Sequence, residues 1–107
     1  MTTQQVFVHG ELARTGTLLQ ILGREPLALR AVLRGYERVL DPEIDYYTAV
    51  RKEGGMIEGR LLTGITDKEL LALDEFEGVS EGLYDRAIVE VEVEGGKASA
   101  YLYVRHL

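Results

Sequence analysis

The stretch Thr66 to Gly78, T-D-K-E-L-L-A-L-D-E-F-E-G, constrains the fold most, because it writes both ends of a helix and sets an acid on its apolar side. Thr66 followed three residues later by Glu69 is a capping box: the hydroxyl accepts from the Glu69 N–H and the Glu69 carboxylate accepts from the Thr66 N–H. Gly78 can take the left-handed conformation that ends a helix. The spacing therefore predicts a helix over Asp67 to Phe76. At roughly 100° per residue, Leu70, Leu71, Leu73 and Phe76 form one apolar stripe. Glu77 falls inside that stripe, Glu75 opposite it and Asp74 near its edge. A carboxylate on an inward face is costly unless it is paired, protonated or employed in chemistry. The last helical turn adds the negative end of the macrodipole. Both effects push the Glu77 pKa upward, as in a carboxyl group that shuttles protons near neutral pH. The alternative is that the helix frays at Phe76 and Glu77 turns to solvent.

The remaining elements follow from glycine punctuation and alternation. Gln4 to His9 reads as a buried strand around Val6, Phe7 and Val8, ending at Gly10. A short helix from Thr15 or Thr17 closes at Gly23, and Pro26 prevents its continuation. Loop N–H groups between strand and helix would converge on one spot and favour an anion, although such joints often only connect. Leu27 to Leu33 and Tyr36 to Leu40 read as strands divided at Gly35, and Asp41-Pro42 as a turn. Tyr46 to Arg51 and Met56 to Leu62 read as a hairpin around Gly54-Gly55. Ala87 to Val93 and Ala98 to Arg105 read as a second hairpin around Gly95-Gly96, with Glu90, Glu92 and Glu94 forming a solvated face. The expected fold is α+β: a single domain over residues 1–107 with a mixed, barrel-like sheet of about seven strands and two short helices. Tyr36, Tyr46, Tyr47, Tyr84, Tyr101 and Tyr103 supply nearly all the aromatic surface, either packing between strands or lining a cavity with a hydroxyl inside it.

Composition bounds the function. A 107-residue chain, 46% hydrophobic and 28% charged, can bury one modest core. It has no cysteine, which excludes disulfides and thiolate chemistry, and a zinc site would need His9, His106 and carboxylates at spacings that suggest none. A net charge of -6 argues against nucleic acid or an anionic membrane as partner. Val6-Phe7-Val8 is too short for a signal or spanning segment, so a cytoplasmic location is expected. The absence of asparagine and cysteine is a compositional hint of a hot environment.

Several segments occur together in one order: V-F-V-H-G-E-L, Gly35-Tyr36, I-E-G-R-L-L, L-A-L-D-E-F-E-G-V and Tyr84-Asp85-Arg86. This set resembles the γ-glutamylcyclotransferase family, whose members carry Tyr-Gly-Ser/Thr-Leu after the first strand and L-D-x-x-E with a following Tyr-x-Arg. The resemblance implies a mixed α/β barrel with a cavity between the first loop and the second helix. It also implies that the substrate's own α-amine attacks its γ-carbonyl, releasing 5-oxoproline and an amine with no cofactor. Carried onto this chain, the substrate loop is His9, Gly10, Glu11 and Leu12, the proton shuttle is Glu77, and the aromatic of the later motif is Tyr84. The partner would be a small γ-glutamyl compound.

The chain departs from that pattern twice. His9 replaces a tyrosine, and Glu11 replaces a small hydroxyl residue where a second negative charge would repel a ligand carboxylate unless Arg14 or Arg86 neutralises it. These departures keep a second expectation open beside the enzyme, a non-catalytic binding module on the same fold.

Overall fold

The computed structural model describes residues 3–43 and 46–105, without the Tyr46 side chain; His106, weighed above as a zinc ligand, lies outside the described residues. Strand β1 (Gln4–Val8) leads through a short 3-10 turn, Gly10–Ala13, into helix α1 (Thr15–Leu22). There follow β2 (Ala28–Asp41), β3 (Tyr46–Ile65), α2 (Asp67–Glu77), β4 (Tyr84–Val93) and β5 (Gly96–Arg105). The strands close a barrel in the order β1-β3-β2-β4-β5. All pairings are antiparallel except the closing one, where Val6 of β1 lies beside Tyr101 of β5 in parallel.

The uninterrupted run Val6-Phe7-Val8 is buried on both faces, as such a run must be. Strand alternation sends Phe7 into the barrel interior with Leu33, Ile57, Leu61, Val91 and Leu102. Val6 and Val8 face the other way, onto a second cluster with Leu18 of α1 and Leu70 and Leu73 of α2. The two helices thus cover one side of the barrel. Gly59 permits the close packing of β1 on β3: a Cβ there would lie 2.4 Å from the Val8 carbonyl oxygen and 2.7 Å from the Phe7 ring.

The barrel has five strands rather than about seven, because the pairs of segments expected on either side of Gly35 and of Gly54-Gly55 are continuous. No hairpin forms at Gly54-Gly55. Arg34 pairs with Met56 and Tyr36 with Arg51, so residues 52–55 bulge out opposite Gly35 and the ladder then resumes. Positive φ at Gly35 (84°) and Gly54 (77°) lets both strands bend there. The reversal lies instead beyond Asp41-Pro42, where the Asp41 carboxylate accepts from the Glu43 N–H at 3.0 Å. The β4–β5 hairpin turns at Glu94-Gly95, as expected, with Val93 opposite Gly96.

Helix α2 begins with both halves of the predicted capping box, at 3.0 and 3.1 Å, and ends on left-handed Gly78. Its buried stripe is narrower than expected. Leu71 and Phe76, assigned above to the apolar side, are 65% and 44% exposed. They sit roughly 110° to either side of the line through Leu70, Leu73 and Glu77, too far round to reach the barrel. Glu77 is only 6% exposed and belongs to the line that is buried. Asp74, expected near the edge, is half-buried between Tyr103 and Arg86.

Candidate active site

The last turn of α2 carries Glu77 to a small cavity of about 20 Å³ at one end of the barrel. Across the cavity are His9, just after β1, and Leu12 of the 3-10 turn; Tyr47, Tyr84 and Tyr103 complete the polar wall. Each arrives by a different route. His9 is placed by the end of β1, Tyr84 by the start of β4, and Tyr103 by β5, where it faces Arg86 across the ladder. The Tyr103 hydroxyl donates to Asp74 at 2.6 Å. Arg86 approaches the same carboxylate at 3.2 Å and lies over the Tyr101 ring at 4.8 Å, which locks α2 against β5. Burial raises the Tyr103 pKa well above the phenol range, as do the hydrogen bond to Asp74 and the negative charges nearby. Burial raises Tyr84 as well; the Thr48 hydroxyl opposes the shift and the Glu77 carboxylate reinforces it. Both phenols stay protonated at neutral pH, so each can donate a hydrogen bond as well as accept one.

The His9 imidazole is lowered from 6.5 to about 4, first by burial and then by the positive charge of Arg38. It is neutral at pH 7, and its buried Nδ1 has no hydrogen-bond partner among the described residues. The cavity therefore joins one buried carboxylate, a neutral imidazole and protonated phenols. Among the described residues no group of three or more His, Cys, Asp or Glu side chains is placed to hold a metal. No helix of the described residues is long and apolar enough to cross a membrane.

Residues 6–107 match the family model for γ-glutamyl cyclotransferase, AIG2-like proteins. The chain belongs to this family. Among relatives, a Methanocaldococcus jannaschii protein is named as a γ-glutamylcyclotransferase with an RNase role also suggested in its name; it is 37% identical over 94% of this chain and 45% of its own length. An AIG2-like protein of Arabidopsis thaliana is 41% identical over 80% of this chain and 48% of its own. The chain thus spans about half the length of these relatives. An Arabidopsis thaliana protein solved in solution superimposes with a TM-score of 0.86 at 31% identity, covering 98% of this chain and 63% of that one. A γ-glutamyl cyclotransferase superimposes at 0.83 with 18% identity over 97% of this chain and 67% of its own, which speaks for the fold.

Of the residues that the family pattern singles out, His9, Leu12, Glu77 and Tyr84 meet around the cavity. Gly10 does not line the cavity; it follows His9 with φ 61°, a left-handed turn after β1 that brings its Cα side close to Tyr47. Glu11 does not line the cavity. Its carboxylate accepts from Thr17 at 2.9 Å and pairs with Arg14 at 3.3 Å, so it is directed to the first turn of α1. Arg14 supplies the neutralising charge, whereas Arg86 is held by Asp74. Sequence reasoning did not select Tyr47, Tyr103 or Arg38 individually. A tyrosine in an alternating strand gives no sign of which end of a barrel it will reach, so only the general expectation of a tyrosine-lined cavity pointed to the first two.

Proposed function

We propose that this chain cyclises a small γ-glutamyl compound, with Glu77 moving the protons. The observation that carries this reading is the burial of the Glu77 carboxylate in the last turn of α2, facing the His9–Leu12 loop across a phenol-lined cavity. Glu77 would take a proton from the substrate α-ammonium, and the freed amine would attack the γ-carbonyl. A C–N bond then forms to the γ-carbon, the bond to the departing amine breaks as Glu77 gives its proton to that nitrogen, and the second proton shed by the attacking nitrogen passes by way of Glu77 to the amine, which leaves as an ammonium ion. The products are 5-oxoproline and an amine. Ring closure is intramolecular, so the protein's task is to hold a folded conformer, with loop N–H groups on the substrate α-carboxylate, and to stabilise the tetrahedral oxyanion, for which a protonated Tyr84 phenol is a suitable donor. No step calls for a cofactor. The RNase suggestion in the archaeal relative's name is not carried over, because a charge of -6 opposes phosphate neutralisation.

A purified-protein assay for 5-oxoproline release across a panel of γ-glutamyl amines and dipeptides tests this, with Glu77→Gln as control. Release that depends on Glu77 is the expected result; no release, or equal release by the variant, would sink it. The second reading, a binding module, is favoured by the altered loop, in which His9 and Glu11 depart from the family pattern. It predicts ligand binding without product. A cytoplasmic location and a single γ-glutamyl small-molecule partner complete the proposal.

A further inference from the structure

We propose that Arg38 is the ligand-binding residue that selects for an α-carboxylate at this cavity; the inference rests on the γ-glutamyl reading above. Arg38 lies on β2 opposite Ala49 of β3, with Tyr47 on the neighbouring rung of the same face. Its guanidinium stacks over the Tyr47 ring, 4.6 Å from the centroid, and Tyr47 lines the cavity. Its Nη1 is 4.0 Å from where a Cβ on Gly10 would stand, so the missing side chain of Gly10 leaves the guanidinium open to the turn after β1.

Stacking on an aromatic face orients the guanidinium plane while leaving the N–H fork at its edge free to grip a carboxylate. Arg14, Arg24, Arg34, Arg86 and Arg105 each hold an acidic side chain. Arg38 holds none among the described residues, as is true of Arg30, Arg51 and Arg60, and of these four it is Arg38 that stacks on a tyrosine of the cavity wall. Glu11, the nearest acid in the loop's sequence, is engaged by Arg14 and Thr17. The cavity therefore has an oriented cation at its rim and a carboxylate, Glu77, inside. That polarity matches an α-amino-acid head group, with the carboxylate on Arg38 and the amine at Glu77. Neutral His9 adds no competing cation.

The probes are 5-oxoproline and 5-oxoprolinamide, titrated by NMR into the wild type, Arg38→Gln and Arg38→Lys at low salt. A turnover pair, γ-glutamyl-p-nitroanilide and its α-carboxamide, accompanies them. The wild type should prefer the carboxylate probe by about tenfold or more. Arg38→Gln should erase that preference and raise KM for γ-glutamyl-p-nitroanilide while kcat changes little; Arg38→Lys should keep part of it. Unchanged melting temperatures would exclude misfolding, since Arg38 is exposed. A carboxylate preference that survives in Arg38→Gln overturns the assignment and leaves the cyclotransferase reading standing. Arg38-dependent binding without turnover sustains the assignment and overturns the reading. A wild type that ignores both probes and both anilides overturns the two together.

Discussion

At the scale of single residues, burial separates acids that look alike in the sequence. Glu75 and Glu77 lie two residues apart, yet one is exposed and the other is closed into the cavity wall. Glu77→Gln is expected to reduce 5-oxoproline release at least about a hundredfold with little change in melting temperature, whereas Glu75→Gln should leave both intact. Steady-state kinetics on the two variants checks this, and equal losses would count against Glu77. Glu11 shows the opposite lesson. Its charge beside the loop suggests repulsion of a ligand carboxylate, but its bonds to Arg14 and Thr17 direct it elsewhere. Glu11→Thr is accordingly expected to change 5-oxoproline affinity by less than about twofold, since an exposed, paired charge exerts little field in water. Calorimetry at low salt would detect a larger gain and restore Glu11 to a steering role.

At the scale of elements, α2 is held by its first turn and its packing. Glu69 caps the Thr66 N–H and also accepts two hydrogen bonds from Arg24, at 2.6 and 2.7 Å, which ties the end of α1 to the start of α2. Thr66→Ala should cost about 1 kcal/mol, the usual worth of an N-cap, and Glu69→Ala more because it breaks the clamp as well. Denaturant titration gives both values; the reverse order would refute the coupling. In β3, Gly59→Ala forces a methyl against the Val8 carbonyl and the Phe7 ring and should destabilise by about 1–3 kcal/mol. Gly54, with nothing within 4 Å, would suffer only from its positive φ. These glycines differ in kind: one makes room between strands and the other bends a bulge.

At the scale of the whole molecule, His9 and Glu69 both contribute to the response to acid. The unfolded His9 imidazole gains a proton near 6.5, while the folded one resists until about 4. The unfolded chain binds more protons in that window, so His9 contributes stability above pH 6.5 that is lost as the pH falls toward 4. Glu69, held to about 2 against an ordinary 4.5 chiefly by its hydrogen bond from Arg24, extends the loss from about pH 4.5 down to 2. Melting temperature should therefore decline in two overlapping stages on acidification. His9→Gln should flatten the first and Glu69→Gln the second; a wild type equally stable at pH 7 and pH 4 would contradict the first stage, and one equally stable at pH 4 and pH 2 the second. The sequence alone determined both ends of α2, the end of α1 at Gly23, the turn at Asp41-Pro42, the β4–β5 hairpin and the place of Glu77 on the helical line of Leu70 and Leu73, while packing decided that Glu77 is buried there. Caps, positive φ angles and helical period are settled by residues within a turn of one another. Tertiary structure decided the rest: that the chain passes Gly54-Gly55 as a bulge, that Leu71 and Phe76 stay outside, that Glu11 turns to α1, and that Arg38 and Tyr47 meet at Gly10. Such outcomes depend on strand register and on partners far along the chain, as when Asp74 meets Tyr103 across 29 positions and Glu69 meets Arg24 across 45, so no local pattern encodes them.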